Sequence, residues 1–250
     1  MKNIFLLFIA LSISTHIFSQ KIYNTTSGEL IFGTSNSAYN APNPNSDLLY
    51  GNTNGSTTGP IRFTLWFHFG TYWHYDFNNS IGIYTGIANR NIGFITDEAN
   101  STGETTDNVK WKRRTYSIGV PLAIKIGSFD DDYYFFAGAQ YELLYHYKEK
   151  EFTASGKRKY TEWFSPRTNR FLPSVFVGVS FPKGLSLKFT YALADMMNAN
   201  YTFTDGAGMD QTPYKFMDSR LMYLSVYQMM KWDKDTYKKI DDDKKQVAFL

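Results

Sequence analysis

The stretch IRFTLWFHFGTYWHY, residues 61–75, alternates between apolar and more polar side chains at every second position. Phe63 and Leu65 belong to the apolar set, and Arg62 and His68 belong to the other set. Successive side chains of a β-strand point to opposite faces, whereas a helix would place Phe63 and Leu65 on nearly opposite sides. We therefore predict a β-strand with one apolar face and one polar face.

The same alternation recurs along the rest of the chain. It predicts further strands at 111–127, 133–148 and 185–195, and weaker ones at 29–35, 81–95, 171–181 and 219–232. These make about eight strands in all, and a tilted strand of about ten residues crosses the apolar core of a bilayer. Eight strands close a barrel whose interior is filled by side chains.

The segments between the strands alternate in length. We expect short turns at 76–80, 128–132 and 182–184, and long polar loops at 36–60, 96–110, 149–170 and 196–218. Asn, Thr, Ser, Gly and Asp are abundant in the long segments, which is typical of loops. The alternation of short and long connections predicts an all-β fold, an up-and-down antiparallel transmembrane β-barrel. Its short turns and both of its termini would face the periplasm.

The composition and the N-terminus agree with an exported membrane protein. Aromatic residues make up 18% of the chain, yet its mean hydropathy is negative, as a barrel with aromatic girdles and a polar lumen requires. Residues 1–19 join Lys2 to an apolar run and end on Ser19, which predicts a cleaved signal peptide. The run is too short for a membrane anchor. We expect the barrel at 20–232 and a charged periplasmic tail at 233–250.

Charge and cysteine content exclude several classes of protein. The formal net charge is +3 and falls by one when the signal peptide is removed, so no nucleic-acid partner is indicated. The chain contains no cysteine. It therefore has neither a disulfide framework nor a thiolate metal site.

The polar face of the predicted strands carries glycines and ionisable residues, which suit a narrow, filled lumen. Lys125, Glu142 and Lys188 fall on this face at mid-strand. A buried charge is costly unless it is paired. We therefore predict that Glu142 bridges one or both lysines, with Arg62 or Arg220 as further donors. The whole predicted lumen network consists of Arg62, Lys125, Glu142, His146, Lys188 and Arg220.

No catalytic, cofactor-binding or metal-binding residue is predicted. Three histidines follow the signal peptide, His68, His74 and His146. Glu142 and His146 share a predicted face, but four residues along a strand separate them by about 13 Å, too far to hold one metal ion. A barrel enzyme that modifies lipid A would need a Ser–His–acid arrangement near the membrane surface. The sequence contains no nucleophile elbow that indicates one.

Two segments resemble a known family. RTYSIGVPLAIKIG (114–127) and AGAQYELLYHY (137–147) are similar to segments of outer-membrane β-barrel proteins of the Bacteroidota type, in the porin-like and OmpA-like superfamily of small barrels. The resemblance implies export and insertion into the cell outer membrane by the barrel assembly machinery. Such barrels usually end on an aromatic residue that this machinery recognises. Here the predicted last strand ends near Trp232, well before the terminus. The sequence therefore does not decide which strand closes the barrel.

The predicted function is that of an outer-membrane barrel with a largely filled lumen. Its role would be structural, binding or minor transport, exercised through the extracellular loops. Expected partners are outer-membrane lipid, the barrel assembly machinery and cell-envelope proteins. One alternative is a periplasmic lipocalin-like barrel that carries an apolar ligand, and another is a lipid A-modifying enzyme. The lipocalin-like alternative requires the apolar faces of the strands to point into the barrel.

Overall fold

The computed structural model of the chain describes residues 21–38, 56–102, 105–153 and 156–232. No helix within these ranges is long and apolar enough to cross a membrane. The strands are β1 (Lys21–Ala38), β2 (Ser56–Thr58), β3 (Arg62–Thr64), β4 (Phe69–Asp76), β5 (Ile81–Thr102), β6 (Thr105–Ser128), β7 (Tyr133–Thr153), β8 (Gly156–Trp163), β9 (Phe171–Ser180), β10 (Leu185–Asp195), β11 (Phe203–Thr204), β12 (Asp210–Gln211) and β13 (Arg220–Trp232).

The long strands form one antiparallel sheet that closes on itself. Around the ring the order is β1, β4, β5, β6, β7, β9, β10 and β13, and β13 pairs back to β1. The closing ladder runs from Asn24 opposite Trp232 to Ser35 opposite Leu221. Strands that follow each other along the chain are neighbours throughout the ring. The predicted eight-stranded up-and-down barrel is therefore confirmed, and β13 is its closing strand.

The strand predicted at 61–75 is interrupted by a bulge. β1 pairs first with β4, up to Gly28 opposite Phe69, and then with β3, from Ile31 opposite Thr64. Between these two ladders β1 has two residues, whereas the chain that joins β3 to β4 has four. Such extra residues leave the ladder and bend the strand. Here they include Trp66 and Phe67, which are 72% and 64% exposed, and Phe67 has a left-handed backbone with φ 68°.

Two of the predicted loops consist mostly of strands. β5 and β6 stay paired to their outer ends at Thr102 and Thr105, and β7 and β8 form a second ribbon of this kind. The prediction of loops at 96–110 and 149–170 is therefore wrong over most of their length. Outside the bilayer no lipid requires an apolar outer face, so these segments lack the apolar alternation that marks a lipid-facing strand.

The apolar faces of the strands point away from the barrel. Six residues that distinguish a membrane barrel from a lipocalin-like one are between 43% and 62% exposed: Phe63, Leu65, Ile118, Val120, Leu122 and Val177. A soluble barrel would bury these side chains inside. Because they form an outward belt on a closed ladder, the protein is a transmembrane barrel and the lipocalin-like alternative is wrong.

Three predicted segments lie largely or wholly beyond the part of the chain that the structure describes. They are the signal peptide at 1–19, the tail at 233–250 and most of the loop at 36–60. These remain predictions.

Candidate functional site

The candidate site is the barrel interior together with the extracellular ends of the strands. The periplasmic half of the interior is filled by an aromatic layer. Its buried members are Tyr72, Tyr84, Ala88, Ala123, Tyr134, Phe136, Phe176, Tyr227 and Met229. Their rings pack edge to face or tilted, as in Tyr84 against Phe136 at 5.8 Å between centroids. The buried rings therefore pack against one another across this part of the lumen.

A charged layer lies above the aromatic one. Arg90 donates from Nε to Oε2 of Glu29 at 2.9 Å and from Nη1 to Oε1 of Glu142 at 3.3 Å. The ammonium group of Lys188 is 3.2 Å from Oε1 of Glu29, and the hydroxyl of Ser117 donates to Glu142 at 3.1 Å. All four ionisable side chains are buried. Two carboxylates balance two cations, which lowers the cost of holding charge away from water.

Glycines on the inner face leave room for these side chains. A Cβ on Gly119 would lie 2.9 Å from Cγ of Glu142 and 3.0 Å from Nη1 of Arg90. A Cβ on Gly178 would overlap the ring of Phe136. A Cβ contact shorter than 3.0 Å would force the neighbouring side chain to shift, so glycine at both positions allows the lumen to be packed as it is.

Lys125 lies in the lumen but far from Glu142. It faces Phe136 across the β6–β7 ladder, six residues from Glu142 along β7, which is about 20 Å. Its ammonium group pairs with Asp76 at 2.5 Å and donates to the hydroxyl of Tyr23 at 2.8 Å. The predicted bridge from Glu142 to the lysines is therefore wrong. Glu142 binds an arginine, and Lys125 belongs to a separate cluster near the periplasmic end.

The two other predicted arginines also lie apart from Glu142. Arg62 is buried and joins β3 to β5, since its two Nη groups donate to Asn91, to the backbone oxygen at 3.1 Å and to Oδ1 at 2.7 Å. Arg220 pairs with Asp218 at 2.5 Å, and its side chain is 43% exposed. It stands on the extracellular rim and not in the lumen.

His146 lies on the outer surface, contrary to the prediction. On β7 the pairing jumps from Leu144 opposite Ser117 to His146 opposite Tyr116, which leaves Tyr145 as an extra residue in a β-bulge. A bulge of one residue reverses the alternation beyond it. His146 therefore faces outward, between the rings of Tyr116 and Trp163, whose centroids are 5.6 Å and 4.3 Å away.

Glu29 and Arg90 are the central members of the charged layer, and the sequence prediction omitted both. The predicted strand at 81–95 does contain the signal, because Arg90 follows Gly86 at an even spacing and so shares its inward face. Glu29 is the first residue of the strand predicted at 29–35. Strand ends are the least certain part of a sequence-based assignment.

The extracellular end of the lumen is closed by a cap layer. Its buried members are Ile31, Ile92, Phe94, Leu144, Tyr147, Leu172, Ala192, Met196, Met197, Tyr214, Met217, Leu221 and Tyr223. Four of these belong to the segment predicted as a polar loop at 196–218, which folds into the barrel mouth. Burial, and next the negative charge of Glu149, raise the pKa of Tyr214 to about 12.

A cavity of about 130 Å³ opens above the cap layer. Glu149 lines it and pairs with Arg113 at 3.4 Å and with Arg167 at 3.1 Å. The guanidinium carbon of Arg113 lies 4.9 Å from the ring centroid of Trp111. A second cavity, of about 210 Å³, lies at the periplasmic end beside Asp132. The aromatic, charged and cap layers lie between the two cavities.

Comparison with known proteins identifies no family. No protein-family model matches the chain, and no curated protein matches it. Among solved structures, it is similar to Ail, the attachment invasion locus protein of Yersinia pestis, with 10% sequence identity and a TM-score of 0.38 over 84% of this chain and 99% of that one. Ail in complex with the heparin analogue sucrose octasulfate gives 11% identity and a TM-score of 0.34 over the same shares of the two chains.

Similarity at this level carries no functional argument, and the location of the protein follows from its own geometry. The outward apolar belt needs a bilayer, and the closed ladder pairs the backbone groups within it. The hairpin turns at one end are short, and the connections at the other end are long ribbons or loops. This is the arrangement of an outer-membrane barrel, and we place the protein in the cell outer membrane.

Proposed function

We propose that the protein is a closed outer-membrane barrel that acts from its extracellular surface, as a binding or structural protein rather than as a passage for solutes. The observation that carries the proposal is the charged layer of Glu29, Arg90, Glu142 and Lys188. Its side chains reach across the lumen from β1, β5, β7 and β10 and bind each other in pairs. A solute would have to break these buried ion pairs to pass.

The extracellular ribbons support a role outside the cell. β5 has 22 residues and β6 has 24, whereas a membrane strand needs about ten. The remaining length extends about 30 Å beyond the lipid belt. Paired strands hold this surface in a defined shape, which suits binding better than a loose loop does.

The protein is proposed to be non-enzymatic. His74 forms a hydrogen bond of 3.0 Å with the hydroxyl of Thr25, the kind of pair from which a nucleophile is activated. However, the second ring nitrogen of His74 has no hydrogen-bond partner, so no acid orients the ring as in a catalytic triad. The pair is also buried inside the periplasmic half of the barrel, away from the lipid surface that a lipid A-modifying enzyme would use.

We further propose membership of the Bacteroidota-type barrels. The resemblance at 114–127 and 137–147 supports it, and most of each segment lies in the membrane-spanning part of β6 or β7.

Conductance of the purified barrel in a planar lipid bilayer tests the proposed function. We expect no stable ohmic openings, and liposomes that contain the protein should not swell in a solution of small sugars. A variant with Arg90→Ala and Glu142→Ala together removes the centre of the charged layer and serves as the comparison. Reproducible openings of one size from the wild-type protein would show that the lumen conducts, and the proposal would then be abandoned.

A further inference from the structure

The outer surface of the extracellular ribbons carries a group of cations that the proposed function does not use. It consists of Lys112 and Arg114 on β6, Lys148 and Lys150 on β7, and Lys157 and Lys159 on β8. We call these six residues the basic face. They stand at alternate positions on neighbouring strands, so their side chains leave the sheet on one side.

The register brings like charges opposite each other on this face. Lys150 stands between Lys112 on one side and Lys159 on the other, and Arg114 stands opposite Lys148. Like charges directly opposite across a ladder are destabilising. Partial burial, and next the charges of Arg62 and Arg114, lower the pKa of Lys112, which agrees with repulsion among these groups.

The inner surface of the same ribbons has the opposite character. There Glu149 pairs with Arg113 and Arg167, and Glu151 lies 3.9 Å from Arg158. The two carboxylates of β7 in this ribbon, Glu149 and Glu151, therefore lie beside cations on the inner side, while the cations of the basic face point outward. A sheet needs no such segregation for solubility, since mixed charges serve that purpose better. The arrangement indicates an anionic partner on the outer side.

The height of the basic face limits what that partner is. Directly below it lies an aromatic row of Tyr116, His146 and Trp163, the position of an interfacial girdle. Below Tyr116, Ile118 is the last aliphatic residue of β6 that faces lipid. Two residues of a tilted strand rise by about 5 Å. Arg114 therefore stands about 10 Å above Ile118, and Lys112 about 15 Å above it.

A phospholipid headgroup layer is about 5–8 Å deep on each side of the hydrocarbon core, which is too shallow to reach Lys112. A headgroup built on sugars extends further. The side chains of the basic face also point away from the barrel wall, parallel to the membrane plane, where the neighbouring molecules are lipids. From this position and charge we infer that the basic face binds the phosphate groups of a phosphorylated glycolipid in the outer leaflet. The ammonium group of Lys148 lies 5.3 Å from the ring centroid of Tyr116, which joins the basic face to the girdle.

The inference rests on the outer-membrane location of the proposed function but not on closure of the lumen. It is tested with the full-length mature protein in detergent micelles, titrated with bisphosphorylated lipid A, with dephosphorylated lipid A and with inositol hexakisphosphate. Bound ligand is counted by native mass spectrometry. The test variant is Lys112→Gln, Lys150→Gln and Lys159→Gln combined. The control variant is Lys21→Gln, Lys183→Gln and Lys215→Gln combined, which removes the same charge from exposed positions elsewhere.

The wild-type protein and the control should bind bisphosphorylated lipid A equally, and the test variant should bind it at least about tenfold more weakly. Dephosphorylated lipid A should bind the wild-type protein as weakly as the test variant binds the intact lipid. Equal affinities of test and control variants would overturn the inference. Equal affinities of the wild-type protein for bisphosphorylated and dephosphorylated lipid A would also overturn it. Binding of inositol hexakisphosphate as tight as that of lipid A would overturn it too, because the ligand would then be a soluble polyanion. Conductance of the same samples reports separately on the lumen.

Discussion

At the scale of single residues, the alternation rule predicts most of the barrel interior. It places Lys125, Glu142 and Lys188 on the inner face, where the structure has them. It fails for His146 because one extra residue in a strand reverses every later side chain, and an extra Tyr145 cannot be recognised from periodicity alone. The cation that pairs with Glu142 is decided by the height of each residue along the barrel axis, that is, by its distance from the end of its own strand. A single sequence does not give that offset.

The charged layer predicts large stability effects at single residues. Glu142→Ala leaves Arg90 with one buried partner fewer, and Arg90→Met leaves Glu142 without its cation. Each change should lower the free energy of unfolding by about 3 kcal/mol. Denaturant-induced unfolding in micelles, followed by tryptophan fluorescence, measures it. Met209→Ala, at an exposed position near β12, should change it by less than about 0.5 kcal/mol.

A double-mutant cycle separates the ion pair from a general loss of packing. If Glu142 and Arg90 act through each other, the double variant should cost less than the sum of the two single changes. Additive losses would mean that the two side chains fill space independently, and a Glu142→Ala variant as stable as the Met209→Ala control would exclude the network altogether.

At the scale of elements, the sequence predicts the membrane part of each strand better than the parts outside it. The lipid belt requires apolar residues at every second position, so the pattern is visible in 111–127 and 185–195. Outside the bilayer this requirement ends. The loop predicted at 196–218 therefore conceals a cap that depends on contacts distant in sequence. β1 begins at Lys21, eight residues before the predicted strand at 29–35, because Asn24, Thr26 and Gly28 on its outer face interrupt the apolar alternation there.

The cap predicts an unusual titration of Tyr214. Because the pKa of Tyr214 is raised to about 12, its neutral form is favoured when the cap is seated. The cap should therefore keep its full stability below pH about 10, the usual pKa of tyrosine, and lose this contribution as the pH rises towards 12. The difference in tyrosinate absorbance between the wild-type protein and Tyr214→Phe isolates this one group. A midpoint near 10 would show that Tyr214 is in water and the cap is not seated.

At the scale of the whole molecule, closure of the ring decides which residues form the folding unit. β13 pairs with β10 on one side and with β1 on the other, so a chain that lacks it has two open edges in the bilayer. Unpaired backbone groups in lipid cost several kcal/mol each. Residues 20–232 should therefore fold alone, as the sequence predicts, whereas a chain that stops at residue 219 should not.

Two truncated chains, 20–232 and 20–219, test this in refolding experiments with lipid vesicles, which need no assembly machinery. The longer one should refold to the heat-modifiable form of the mature chain with a similar yield, because both ladders of β13 are intact. The shorter one should remain unfolded or associate through its open edges. If 20–232 failed to refold while the chain that includes 233–250 succeeded, the tail would have to contribute to the barrel itself, and its prediction as a solvated periplasmic extension would be wrong.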